Sequence, residues 1–444
     1  MDLRDKKALV VGLARTGLEC ARFLLNQGAK VAVSDLRSAR DLSQEMESLN
    51  GLPVDYLLGR EERSWLNQID LVVPSPGVPR ENPLLQEASI RGIRILSEVE
   101  LAYRFLRAPI IAITGTNGKS TTTTLVGLML KANEGRVFVG GNIGAPLIGF
   151  VDGNWEWGVV EISSFQLEWI QEFRPRVAVL LNLTEDHLDR YPDFAAYCRT
   201  KERIFENQTS EDIAILNRDD PRVWTMRQNK AAKVISFGFS EIDEGVFARA
   251  EEIVWRGPAG EECFSLGRVK IQGIHNIENM MAAIAVIKAI GKPATIIQQT
   301  LDEFSGLEHR LEFVREKNGV RYYNDSKGTN VGAVVKSLAS FSVPVILLAG
   351  GVDKGGDYGV LRAAVGERVK RLVLFGAAKN LIAESLGRET EAVIVDDMEA
   401  AVRDAYQHAC PGDVVLLSPA CSSFDMFRNY AERGRVFKNL VQSL

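Results

Sequence analysis

Short, almost unbroken apolar runs separated by helical patterns recur along the whole 444-residue chain. Between residues 7 and 100, Ala8-Leu9-Val10-Val11 reads as a strand, Thr16 to Gln27 as a helix and Lys30-Val31-Ala32-Val33-Ser34 as a second strand. Asp70-Leu71-Val72-Val73 is a further strand, stopped by the turn Pro74-Ser75-Pro76-Gly77. In the next block Pro109 to Thr114, Gly158 to Ile162 and Val177 to Leu181 are apolar on both faces, as strands buried in a parallel sheet are. Thr122 to Lys131 and Asn276 to Ile290 carry helical periodicity. The alternation then restarts, with Val320 to Tyr323, Val343 to Ala349, Leu372 to Phe375, Ala392 to Val395 and Val414 to Leu417 as strands. This pattern predicts an α/β protein built on parallel sheets, in three domains spanning 1–100, 101–304 and 305–444. The chain is also too long for one ordinary core.

Composition narrows the class. Hydrophobic residues make up 46% and charged residues 25%, which describes a soluble globular protein. A net charge of −5 gives no electrostatic reason to expect nucleic acid as a partner. Cys20, Cys198, Cys263, Cys410 and Cys421 show no paired spacing, which argues for a reducing compartment and against a disulfide framework or zinc site. No apolar run approaches the roughly 20 residues needed to cross a bilayer. The N-terminal residues lead into a strand and do not read as a signal peptide. A cytoplasmic monomer acting on small molecules is the expectation.

The chemistry concentrates at strand ends. Gly115-Thr116-Asn117-Gly118-Lys119-Ser120-Thr121 lies between a strand and a helix, the layout of a phosphate cradle. Lys119 can reach outer phosphates, and the Ser120 or Thr121 hydroxyl can ligate Mg²⁺. Ile113 stands where the usual motif has glycine, so the loop is shorter than in most ATPases. Glu161 closes a buried strand, where either a metal-binding acid or a helix-capping one would sit. His187 lies in the acid-rich run Asn182 to Arg190, after the next strand. Lys201 belongs to a mixed-charge helical run that by itself reads as a solvated face. Gly12-Leu13-Ala14-Arg15-Thr16-Gly17, with Asp35 after the second strand, is either a nucleotide site or a tight turn with a surface acid. In Asn324 to Asn330, Thr329 is placed to cap the following helix. Gly350 to Gly356 is a glycine-rich loop bearing Lys354. In Ser418 to Asp425, two serines ahead of a helix would form an anion-binding terminus, and Cys421 lacks an activating histidine.

At these motifs the chain resembles the Mur ligase family, which shares its central ATPase domain with folylpolyglutamate synthetases. The shortened loop is that family's form, and the resemblance covers essentially the whole chain. It implies a Rossmann-like N-terminal domain for a UDP sugar, a central P-loop ATPase domain with a mostly parallel sheet, and a Rossmann-like C-terminal domain for an amino acid. The motifs at 324–330 and 418–425 resemble those of members that add D-glutamate to UDP-N-acetylmuramoyl-L-alanine in peptidoglycan synthesis. By position, Arg15, Thr16, Asp35, Arg37, Ser75, Gly77, Asn142 and His187 would hold the UDP sugar. Gly115, Thr116, Asn117, Gly118, Lys119, Ser120, Thr121, Asn276, Asn279, Arg310, Asp325 and Lys327 would bind ATP. Ser120 and Glu161 would hold one Mg²⁺, His187 and a carbamylated Lys201 a second. Thr329, Lys354, Ser423 and Tyr430 would bind D-glutamate. Lys119, His187, Lys201 and Lys327 would carry catalysis, an ATP-driven amide synthesis through an acyl phosphate. The alternatives are a related ligase adding another amino acid and, from residues 12–35, a nucleotide-binding dehydrogenase. Because ATP-binding groups come from two domains, closure between them is expected to complete the site.

Overall fold

The computed structural model describes residues 1–444 except Glu61, Lys230 and Gln272. Among the described residues the strands form three sheets. The first has five parallel strands in the spatial order Val54–Leu58, Lys30–Asp35, Lys7–Val11, Leu71–Pro74 and Arg94–Ile95. This is Rossmann-like, and it brings the loops after residues 11, 35 and 74 to one edge.

The second sheet has nine strands. Its parallel part runs Val137–Gly141, Trp157–Glu161, Ile110–Thr114, Val177–Leu180, Ile213–Asn217, Lys233–Gly238 and Gly245–Arg249. Two antiparallel strands, Glu252–Gly257 and Gly260–Ser265, extend its far edge. Ile110 to Thr114 sits between the strands that end at Glu161 and Leu180, so the 115–121 loop, Glu161 and the 181–190 segment share one edge. Helices Lys119–Glu134 and Ile274–Ala289 share an apolar cluster with one face of this sheet. The other face belongs to a core that continues into the first sheet through Leu101, Ala102, Leu147, Ile148 and Phe173.

The third sheet runs Glu312–Lys317, Val320–Asn324, Val414–Leu417, Val345–Gly350, Val369–Phe375 and Glu391–Ile394, parallel except at its first strand. The loops at 324–330, 350–356 and 418–425 follow three adjacent strands of that sheet.

Two buried acids join the first sheet to the second. Glu100 is fully buried and accepts the backbone N–H groups of Gln171, Glu172 and Phe173, while Arg104 pairs with it at 2.8 Å. Glu98 accepts Ile148 N–H at 2.7 Å, and its second oxygen has no partner. Burial pushes the Glu98 carboxyl up to about 7. The folded state therefore holds this proton where the unfolded chain releases it. The contribution to stability is complete below about pH 4.5 and is lost as pH rises through about 7. Glu98→Gln should remove that slope, so the variant gains up to about 3 kcal/mol over the parent above pH 7. Urea denaturation of both proteins at pH 4.5 and pH 8 measures the difference.

Candidate active site

The phosphate loop is held open by its neighbours. Gly118 adopts φ 87°, and a Cβ there would come within 2.1 Å of Asn279 Oδ1. Only glycine lets the helix bearing Asn279 approach this closely. Asn182 clasps the loop from the next strand: Asn117 N–H donates to Asn182 Oδ1 at 2.8 Å, and Asn182 Nδ2 donates to the Asn117 carbonyl at 3.1 Å.

Positive charge converges on one hydroxyl. Ser120 Oγ accepts from Arg310 Nη2 at 3.0 Å and from Lys327 Nζ at 2.9 Å, both from beyond the central sheet. Lys119 Nζ folds back onto the Gly115 and Thr116 carbonyls at 2.9 and 2.8 Å. Facing them is Glu161, 1% exposed. One of its oxygens accepts from Asn142 Nδ2 at 2.6 Å and the other is buried without a partner. Burial alone would raise the Glu161 carboxyl, but Lys327 and Lys119 outweigh it and hold it below its ordinary value. Burial lowers Lys119, and burial with Arg310 brings Lys327 down to about 7. A donor-free buried carboxylate oxygen near a serine hydroxyl suits a hard divalent cation. Among the described residues, no three His, Cys, Asp or Glu side chains converge as a metal cluster.

Lys201 departs from the solvated face that its local sequence suggests. It lies on the helix Phe194–Glu202 at 1% exposure, with Nζ 3.4 Å from Thr114 Oγ1 and 4.9 Å from the centre of the Tyr197 ring. The helix turns this residue inward against the central sheet, a tertiary choice that local charge pattern does not record. Burial, reinforced by Lys119, pushes its ammonium far below the ordinary lysine range. His187 sits at φ 56° and burial pulls its imidazole down to about 4, so the ring is neutral and can offer a lone pair.

The third domain closes over this edge. Asn330, rather than Thr329, caps the helix Val331–Leu338: its Oδ1 accepts Ala333 N–H, and its Nδ2 donates to Asn117 Oδ1 at 3.3 Å and Asp186 Oδ2 at 3.2 Å. Thr329 is released from capping and meets Lys354, whose Nζ lies 3.3 Å from Thr329 Oγ1 and 3.4 Å from Asp186 Oδ1. Ser422 and Ser423 do not head a helix; the next one starts at Tyr430, where the Asn429 side chain supplies the cap. Ser422 instead bridges to Val352, and Ser423 is 2% exposed. The Tyr430 ring lies beneath Lys327 Nζ at 5.0 Å, on the Ser120 side of the cleft. Asp325 accepts the Ser337 and Ser418 hydroxyls at 2.7 Å each, and burial lifts its carboxyl to about 6. Cys421 is fully buried with its thiol pushed up to about 11, consistent with a structural role.

Asn276, Asn279, Arg310, Asp325 and Lys327 line one cavity, joined by His275 and Lys336. Its free volume is about 60 Å³. Small-molecule sites are several-fold larger, roughly 300 Å³ upward, so a ligand must part these walls.

In the first domain the strand-end loops are tied together. Asp35 accepts Leu13 N–H at 2.8 Å and Arg37 Nη2 at 2.9 Å, while the Ser75 hydroxyl donates to the Gly12 carbonyl at 2.7 Å. Arg15 and Thr16 open the helix Arg15–Asn26, and Gly77 lies in the turn below it. Arg190 carries this edge to the central domain. It donates to the Pro76 and Val78 carbonyls at 3.1 and 2.9 Å, pairs with Glu168 at 2.6 Å and stacks on Phe165, whose ring meets His187 edge-on.

Sequence reasoning passed over Asn182, Asp186, Arg190, Asn330 and Arg433. The first four fall inside motifs already singled out, and their strand-end positions were the available signal. Arg433 had none. It is fully buried in the helix Tyr430–Ser443 and donates to Ser326 Oγ and to the carbonyls of Ser326, Gly350, Cys421 and Ser422. One guanidinium thus joins all three loops of the third domain. Arg433→Met removes a donor from each of those carbonyls and should cost on the order of 3 kcal/mol. Faster amide hydrogen exchange at 350–356 and 418–425, with the first domain unchanged, is the expected reading.

The Mur ligase MurD-like N-terminal domain matches residues 6–97, the Mur ligase middle domain 113–287 and the Mur ligase glutamate ligase domain 309–421. The UDP-N-acetylmuramoylalanine–D-glutamate ligase of Geotalea uraniireducens (strain Rf4) is 52% identical over 447 residues, covering 100% of this chain and 99% of that protein. Two solved structures share the fold. A pseudomurein peptide ligase type C from Methanothermus fervidus has a TM-score of 0.63 at 17% identity, over 99% of this chain and 100% of that one. The MurF ligase from Thermotoga maritima in complex with ADP has a TM-score of 0.61 at 18% identity, over 99% and 96%.

Proposed function

Because the chain belongs to the Mur ligase family, we propose that it is an ATP-dependent ligase joining D-glutamate to UDP-N-acetylmuramoyl-L-alanine in the cytoplasm, in peptidoglycan precursor synthesis. The observation that carries this reading is the convergence of Lys119, Lys327, Arg310 and Glu161 around Ser120, with the Thr329–Lys354–Asp186 group on the same closed edge. The full-length relative supports D-glutamate as the amino acid. Family membership displaces the dehydrogenase reading of residues 12–35.

In this reading ATP enters between Asn279 and Lys336, with its phosphates on the 115–121 loop. The carboxylate of the muramoyl substrate attacks the γ-phosphorus, and the bond to ADP breaks with its electron pair leaving on ADP. The D-glutamate amine then attacks the acyl carbon of the acyl phosphate, loses a proton and expels phosphate. Both steps press anions together, so fixed positive charge does the work; Lys119, Lys327 and Arg310 supply it without a protein nucleophile. Asp35, Arg37, Arg15, Thr16, Ser75 and Gly77 hold the UDP sugar, with Asn142 positioned by Glu161. Thr329 and Lys354 bind D-glutamate carboxylate, and Ser423 and Tyr430 complete that subsite.

Ser120 and the unpartnered Glu161 oxygen fit Mg²⁺. Bound there, Mg²⁺ would neutralise charge on the phosphate oxygens. Neutral His187 and Lys201 would hold a second ion. Lys201 must first become anionic, and its burial prepares this: an uncharged amine can add CO₂ and lose a proton, giving a carbamate oxygen ligand. That carbamate would also face Lys119 as an opposite charge.

Incubation with ATP, Mg²⁺, UDP-N-acetylmuramoyl-L-alanine and a panel of amino acids tests the reading. Phosphate release is expected with D-glutamate only; release with another amino acid instead would reassign the chain within the family. Lys201→Ala should lose about a hundredfold in rate, roughly 3 kcal/mol, and regain part of it with added short-chain carboxylates. Wild-type turnover in that variant would exclude the carbamate.

A further inference from the structure

The edge of the central sheet remote from the chemistry carries a second cavity, of about 760 Å³. Ile110 lines it, and Thr114 at the other end of the same strand leads into the phosphate loop. The two sites are therefore roughly 13 Å apart along the strand, at about 3.3 Å per residue. Arg94 comes from the first sheet, Tyr103, Arg104 and Arg107 from the segment joining the two domains, and Arg174 and Arg176 from the approach to Val177. Two carboxylates, Glu172 and Asp212, share the lining with these five arginines.

The charges are unevenly paired. Buried Asp212 accepts from Arg174 Nε at 2.6 Å and lies 3.5 Å from Arg176. Arg174 also reaches Glu211 at the rim, at 3.1 Å. Arg104 is held by Glu100 at 2.8 Å and Glu172 at 3.1 Å. The side chains of Arg94 and Arg107 are exposed and have no ion-pair or hydrogen-bond partner among the described residues. The Tyr103 ring packs edge-on against Phe173, and its hydroxyl likewise has no hydrogen-bond partner.

We propose that this groove binds a small phosphorylated anion bearing at least two phosphate charges. Its volume is that of a small-molecule site. Guanidinium forks match phosphate oxygens bidentately, and two forks here are uncommitted while Arg176 is held only loosely. The phenol of Tyr103, on the same lining, adds a neutral donor. A single carboxylate would engage one fork and leave the other arginines unanswered; a polyphosphate spans them. Since Arg94, Arg107 and Arg176 come from the first domain, the connection and the second domain, the bound anion bridges the two domains at the end away from catalysis.

The test is titration calorimetry of tripolyphosphate into the full chain whose nucleotide pocket is filled with a non-hydrolysable ATP analogue. One further equivalent is expected, with affinity that weakens as salt rises. In the double variant Arg94→Ala/Arg107→Ala that equivalent should weaken at least tenfold, while thermal unfolding and ligase turnover stay as in the parent. Absence of the extra equivalent in the parent, or undiminished binding in the double variant, would overturn the site. Citrate binding as tightly as tripolyphosphate would overturn the phosphate assignment.

Discussion

An excess of buried positive charge governs this protein. Lys119, Lys327 and Arg310 are gathered about one edge of the central sheet, with Glu161 and Asp186 as the nearby carboxylates, and burial pushes the neighbouring Lys201 far toward its neutral form. Desolvated like charges repel strongly, and burial penalises each ammonium further. These side chains are held by weak means: two loop carbonyls, a serine hydroxyl and a threonine hydroxyl. A polyanion reverses every one of these penalties at once.

Everything around that edge is built to hold it still. Glu100 and the shared apolar core make the first two domains a continuous body, and Arg190 extends the connection from the 75–78 turn to the ring beside His187. Among the described residues, the third domain meets the central one through a set of polar contacts: Lys327 and Arg310 on Ser120, Asn330 on Asn117 and Asp186, Lys354 on Asp186. Such contacts exchange readily with water and substrate, whereas a shared core does not.

The sequence made most of this fold legible because fully buried parallel strands leave unbroken apolar runs, and each ends where chemistry sits. The 115–121 loop and the positions of Glu161 and His187 at strand ends stand out from that layout, while the roles given to Asp325 and Lys327 come from the family resemblance. Groups whose role depends on the far side of the molecule do not stand out. Lys201 looks like an ordinary helix lysine until the helix is packed, and Arg433 stands in the charged run Glu432-Arg433-Gly434-Arg435 that suggests solvent. Thr329 and Asn330 are both good caps in isolation; the extra bonds of Asn330 to Asn117 and Asp186 decide between them. The two serines at 422 and 423 likewise do not head the last helix, because Asn429 takes its cap.

Arg433 also sets an order of assembly in time. It follows the 324–330, 350–356 and 418–425 loops in the chain, so a ribosome delivers the three loops before the side chain that binds them together. At about 5–20 residues per second, the first loop waits several seconds for it. A nascent chain halted before residue 433 would carry a finished phosphate loop and an unassembled third domain.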